Sequence, residues 1–185
     1  MTRLILIRHG ETDWNAEGRW QGHADVPLNS RGHAQAEETA RSLAGEKIDA
    51  IYVSDLRRTE QTAEPLARAQ GLEVRVDRRL REIDQGEWQG LLISEIQSRY
   101  ADEFRRRREN PLEVAPPGGE TALQVRERVL AAVQDILSAH PGQTVAIVSH
   151  GFALAVIRAY FQGVPIGKVW ELVPKNGAIV ELEIG

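Results

Sequence analysis

Apolar residues along this chain fall into short unbroken runs separated by longer stretches where they recur every three or four positions. Leu4-Ile5-Leu6-Ile7 and Thr144-Val145-Ala146-Ile147-Val148 are runs of the first kind, and each predicts a strand covered on both faces. Residues 48–53 predict a third strand. Leu72-Glu73-Val74-Arg75-Val76 alternates, as a strand with one exposed face does, and belongs at the edge of a sheet. Residues 177–184 close the chain as a strand. Helices fall between these segments. Asn29-Ser30 offers an N-cap to a helix over 31–44, with Ala34, Ala36, Ala40 and Leu43 free to pack and Gly45 at its end. Ser54-Asp55 is the expected cap of a helix over about 56–70 that Gly71 stops. A charged helical stretch covers about 93–108. Thr121 with Gln124 forms a capping box for a helix that places Val125, Val129, Ala132, Val133 and Ile136 on one face. After Pro141-Gly142 and the strand that follows, residues 152–161 form an apolar helix. Strands alternating with helices predict an α/β fold: a three-layer α/β/α arrangement around a mostly parallel central sheet.

A length of 185 residues with 42% hydrophobic side chains suits one domain spanning residues 1–185 with a sizeable core. The formal charge of −4 provides no global attraction to nucleic acid or to an anionic membrane, so any anion site has to be local. With no cysteine there is no disulfide framework and no thiolate nucleophile. Met1-Thr2-Arg3 runs directly into the first strand, and no apolar run approaches membrane-spanning length, so a cytoplasmic location is expected. A homodimer is possible, but no surface is marked for it.

Chemistry concentrates where strands end. Two buried-strand patterns finish in a histidine followed by glycine, His9-Gly10 and His150-Gly151, and a third finishes at Ser54 just before Arg57-Arg58. In a parallel sheet all of these reach one edge, the carboxyl edge where open α/β sheets bind ligands. Imidazoles and guanidinium groups gathered beside helix N-termini describe a site of high positive potential for an oxyanion. A phosphate monoester fits, with about −1.5 to −2 charge at neutral pH. His9 as a neutral imidazole can attack phosphorus, and no metal or cofactor is called for. His23, His33 and His140 lack ligand-like spacing. Residues 13–28, with Trp14 and Trp20, form a long loop of the functional kind, ordered by its tryptophans. Arg105-Arg106-Arg107-Arg108 reads as a solvated helix face with local ion pairs, since Asp102, Glu103 and Glu109 flank it.

Arg8-His9-Gly10-Glu11-Thr12 followed by Trp14-Asn15 resembles the signature of the histidine phosphatase superfamily, the phosphoglycerate mutase-like enzymes. Further motifs occur in the family's order: Ser54-Asp55-Leu56-Arg57-Arg58-Thr59-Glu60-Gln61-Thr62, Leu80-Arg81-Glu82-Ile83, Gly86-Glu87-Trp88-Gln89-Gly90, Pro117-Gly118-Gly119-Glu120 and Val148-Ser149-His150-Gly151. The resemblance implies a phosphoglycerate mutase-like fold and a phosphohistidine on His9. It implies that Arg8, Arg58, Asn15 and His150 hold the phosphoryl group, and that Glu82 protonates the leaving oxygen and then serves as base for water. Arg57 is a bystander. Gly151 follows the second histidine at the substrate, and Gln21 and Gly22 either touch substrate or pack the loop. Asn15 has an alternative role in stabilising its turn. The mutases of the family look longer than this chain, with extra segments around the site, so a phosphatase acting on small phosphate esters is the expected activity. A cofactor-dependent phosphoglycerate mutase and a non-catalytic phospho-ligand binding module are the alternatives.

Overall fold

Five strands, β1 (Thr2–Arg8), β2 (Ala50–Val53), β3 (Val74–Val76), β4 (Thr144–Ser149) and β5 (Ile179–Ile184), form one sheet of order β3-β2-β4-β1-β5 in the computed structural model, which describes residues 1–185. The first four are mutually parallel, and β5 runs antiparallel along the outer edge of β1. Seven helices accompany them: α1 (Asp13–Glu17), α2 (Ser30–Ser42), α3 (Arg57–Gln70), α4 (Ile93–Arg99), α5 (Ala101–Glu109), α6 (Ala122–Ala139) and α7 (Gly151–Phe161). Strand periodicity divides the core in two. Leu4 and Leu6 point into one cluster with Val145, Ile147 and the apolar faces of α6 and α7. Ile5 and Ile7 point into the other with Ala146 and Val148, under α2 and α3. The result is the three-layer arrangement. Each of the four β1 side chains is buried, contributing about 1.5–3 kcal/mol apiece. No helix is long and apolar enough to cross a membrane.

Several elements differ from the sequence reading. Leu56, not Ser54 or Asp55, occupies the N-cap of α3, and no side chain caps it. The stretch expected as one helix over 93–108 is two, α4 and α5, meeting at Tyr100 with φ −130°. Tyr100 is held there by its ring against Trp88 and by its hydroxyl, which donates to Glu87 at 3.1 Å. In α2 the buried positions are Gly32, Ala36, Thr39 and Ala40, with Ala34 exposed, and the helix ends at Ser42 before Gly45 is reached. The loop over 13–28 contains α1, whose capping box joins Thr12 and Asn15.

The arginine run is not uniformly solvated. Arg105 pairs with Asp102 at 3.1 Å, as expected, but Arg107 is buried against a pair of touching indoles, 5.9 Å from the Trp20 ring and 5.7 Å from Trp88. It has no carboxylate partner, and burial lowers its pKa to about 10. Cation–π contact with indoles from distant segments, at about 0.5–2 kcal/mol, offsets part of that desolvation.

Candidate active site

Strand register assembles the site. The last rung between β1 and β4 pairs Arg8 with Ser149, so the next residues, His9 and His150, leave neighbouring strands side by side. The His9 amide donates to the Ser149 carbonyl at 3.0 Å, and the rings meet edge to face with centroids 5.2 Å apart. On the other side of β4, Val53 pairs with Val148, which delivers Ser54 to the same edge. Gly10 is needed for close approach of backbone: a Cβ there would lie 2.4 Å from the Gly32 carbonyl oxygen, where the first turn of α2 packs against the loop.

Hydrogen bonds assign both imidazole tautomers. His9 Nδ1 lies 2.7 Å from the Gly10 carbonyl, which can only accept. Nδ1 therefore carries the proton, and Nε2 keeps its lone pair. For His150, Arg58 Nε donates to Nδ1 at 3.2 Å, so Nε2 carries the proton and donates to Ser54 Oγ at 2.7 Å. Ser54 passes its own proton to Thr59 Oγ1 at 2.8 Å, because the Thr59 hydroxyl is committed to the carbonyls of Ser54 and Leu56. This chain explains why Ser54 does not cap α3. Both imidazoles are held well below the ordinary histidine pKa: His9 by burial, then by Arg58 and Arg8, and His150 by burial, then by Arg58, His9 and Arg8. Both are neutral at physiological pH.

Arg58 is buried at the first turn of α3. Its Nη1 donates to the Ala24 carbonyl at 2.6 Å and its Nη2 to the Gly22 carbonyl at 2.8 Å, leaving one N–H on each without a protein acceptor. Burial lowers its pKa to about 10, so it remains cationic. Arg8 donates to the Pro174 carbonyl at 2.5 Å, while its buried Nε has no protein partner. Gly151 makes room for that guanidinium: a Cβ at this position would come within 3.2 Å of Arg8 Cζ. Glu82 reaches in from the loop after β3. Its carboxylate accepts from the amides of Phe152 at 3.0 Å, Ala153 at 3.2 Å and Ile83 at 3.0 Å, so it caps the N-terminus of α7 from across the site. Arg8 and Arg58 both feel its charge. Two permanent cations, one carboxylate and two neutral imidazoles leave the site with positive potential, suited to an anion.

The remaining residues singled out in the sequence are held by contacts with the loops around the site. Asn15 Oδ1 accepts from the Thr12 amide at 3.1 Å, from the Thr12 hydroxyl at 3.0 Å and from Asn176 Nδ2 at 3.2 Å, which is the turn-stabilising arrangement; its own amide N–H groups have no protein acceptor. Gln21 accepts from the Thr12 hydroxyl at 2.8 Å. Gly22 holds Arg58 through its carbonyl, with φ +52° and no room for a side chain beside Gln85 and Gln89. Arg57 pairs with Asp25 at the surface. Asn176, Arg128 and His23 carried no sequence signal. Asn176 Nδ2 donates to the His9 carbonyl at 3.1 Å, while Arg128 and His23 hold the backbone of the Glu82 segment. No group of three or more His, Asp or Glu side chains is placed to hold a metal ion.

Known proteins resemble this chain in sequence and in fold. The family model described as histidine phosphatase superfamily (branch 1) matches residues 4–185. Phosphoserine phosphatase 1 of Hydrogenobacter thermophilus is 41% identical over 170 residues, covering 92% of this chain and 81% of the relative. A probable phosphoglycerate mutase, GpmB, of Salmonella choleraesuis is 35% identical over 184 residues, covering 99% of this chain and 85% of the relative. Among solved structures, the alpha-ribazole phosphatase of Shigella flexneri superposes with a TM-score of 0.93 at 28% identity, covering 99% of this chain and 91% of that one.

Proposed function

The chain belongs to the histidine phosphatase superfamily, and from that footing we propose that it hydrolyses small phosphate monoesters through a phosphohistidine on His9, without a metal ion. The observation that carries this reading is the His9 tautomer: Nδ1 is engaged by the Gly10 carbonyl, and the Nε2 lone pair lies at a buried, cationic edge of the sheet. Relatives named as phosphatases support the reaction class.

In the first step His9 Nε2 attacks phosphorus, and the bond to the ester oxygen breaks. The unfilled N–H groups of Arg8 and Arg58 and the free amide of Asn15 take the non-bridging oxygens. His150, whose Nδ1 accepts from Arg58 Nε and whose Nε2 is held by Ser54, fixes that guanidinium at the edge where the phosphate is received. Glu82, which takes up a proton from solvent as the dianion binds, delivers it to the departing alcohol. In the second step water attacks the phosphohistidine, Glu82 takes the water proton, and release of inorganic phosphate restores the Nε2 lone pair. Chemical work falls on His9 and Glu82 alone, the rest being positioning and charge.

Purified protein with EDTA, given a panel of alkyl and aryl phosphate monoesters, is expected to release phosphate, and His9→Ala is expected to abolish that release. Loss of activity on chelation would overturn metal independence. Efficient isomerisation of 3-phosphoglycerate dependent on a bisphosphorylated primer, in place of phosphate release, would favour the mutase reading that the GpmB relative brings. Binding of phosphate esters with no turnover would favour a binding module. A cytoplasmic, small-molecule role with no nucleic-acid or membrane partner belongs to the same proposal.

A further inference from the structure

Glu82 sits on a short irregular segment between β3 and α4, a poor platform for a group that must deliver a proton to one oxygen. Its carboxylate is steadied by the N-terminus of α7, but the backbone that carries it is held from elsewhere. Arg128, on α6, spends all five N–H donors on one task. Its Nη1 donates to the carbonyls of Arg79 and Arg81, each at 2.8 Å. Its Nη2 donates to the Glu82 carbonyl and to Glu120 Oε2, each at 2.8 Å, and its Nε donates to Glu120 Oε1 at 2.8 Å. Glu120 also accepts from the Asp84 amide at 2.9 Å. His23 Nε2 donates to the same Glu82 carbonyl at 2.8 Å. Three carbonyls of the segment that ends at Glu82, those of Arg79, Arg81 and Glu82, are thus gripped by one planar fork, whose bidentate partner grips the next turn.

Resting on the reading of Glu82 as proton donor, we infer that Arg128 with Glu120 is a positioning device for proton transfer to the leaving group. Arg128 touches neither the phosphoryl site nor substrate. Its effect reaches chemistry only through where Glu82 stands. A lysine cannot replace it, because an ammonium is a point donor with three N–H groups and cannot span three carbonyls and a carboxylate in one plane.

Leaving-group dependence separates this role from a merely structural one. p-Nitrophenolate departs without a proton at neutral pH, whereas the alkoxide of a simple alkyl phosphate needs one. Because kcat/KM covers events up to the departure of the alcohol, it isolates the step in which Glu82 acts as acid. The ratio of the two kcat/KM values on one preparation is also independent of how much of that preparation is folded. Arg128→Gln, Arg128→Lys and Glu120→Gln are each expected to lower kcat/KM for the alkyl ester about 100-fold, the scale of an ångström misplacement, and that for p-nitrophenyl phosphate less than about 3-fold. Glu82→Gln should give the same signature more strongly. If Glu82→Gln shows the signature and the Arg128 variants lower both substrates equally, the positioning role is overturned while the phosphatase reading stands. If Glu82→Gln itself lowers both equally, Glu82 is not the acid, and the inference falls with that assignment.

Discussion

Ser54→Ala is the substitution whose cost the structure specifies most closely. The Ser54 hydroxyl is fully buried and accepts the His150 Nε2 proton at 2.7 Å, and no other acceptor is available to that N–H. Thr59, by contrast, loses little, because its own proton already reaches two carbonyls. The variant therefore strands that buried donor, at a cost of about 1–3 kcal/mol, and also removes the longer 3.4 Å bond from the Leu56 amide. In a chain of this size each kcal/mol lowers Tm by about 2–4 °C, so thermal unfolding should shift down by about 5 °C. A double-mutant cycle isolates the bond. With His150→Phe there is no N–H to strand, so Ser54→Ala should cost less in that background, with a coupling of about 1–2 kcal/mol. Nitrogen-15 spectra of the imidazole supply a second readout: the parent should show His150 protonated on Nε2 and bare on Nδ1, and Ser54→Ala should lose that preference. A variant within about 0.5 kcal/mol of the parent, with no coupling and an unchanged ring spectrum, would refute the assigned chain of hydrogen bonds.

Stability should fall on the acid side of neutrality. The folded pKa values of His9 and His150 lie well below the ordinary 6.5, so as pH drops below that value the unfolded chain binds protons that the folded chain does not. The stabilisation is complete above about pH 6.5 and is lost towards the folded pKa values, with a slope of up to about 1.4 kcal/mol per pH unit for each ring; urea titrations at stepped pH would measure it, and His150→Phe should remove one ring's share. A pH-independent stability between 7 and about 5 would contradict the burial of neutral imidazoles. Gly32→Ala should destabilise despite lying in a helix, where alanine normally gains about 1 kcal/mol, because its Cβ would fall 2.1 Å from the Glu11 carbonyl oxygen. Gly45→Ala meets nothing within 4 Å and serves as the neutral comparison in the same melts.

What could be read from the sequence is what depends on local pattern. Leu4–Ile7 and Val145–Val148 are apolar on both faces, and parallel pairing of two such runs brings the residue after each to the same edge, so His9 beside His150 follows from pattern and register together. Arg58 follows in the first turn of the helix after β2. Glu82 was legible only through its motif, since a carboxylate in an irregular loop has no periodicity to mark it. The rest depends on contacts between distant segments. Asp102 and Glu109 around the arginine run suggest a solvated face, but Trp20 and Trp88 fold over Arg107 from far along the chain. Ser54 looks like a helix cap until its partner 96 positions away is in place. Arg128 and Asn176 are ordinary polar residues in sequence; only tertiary structure gives their donors the carbonyls of the Glu82 and His9 segments.

Trapping the covalent intermediate tests the central claim most directly. Glu82→Gln with p-nitrophenyl phosphate keeps a leaving group that needs no acid while removing the base for water, so the phosphohistidine should accumulate. One equivalent of nitrophenol released in a burst, with one acid-labile, alkali-stable phosphoryl group mapped to His9 by mass spectrometry, is the expected result. Continued turnover with no burst and no phosphoryl group on His9, or with the group on another side chain, would contradict it.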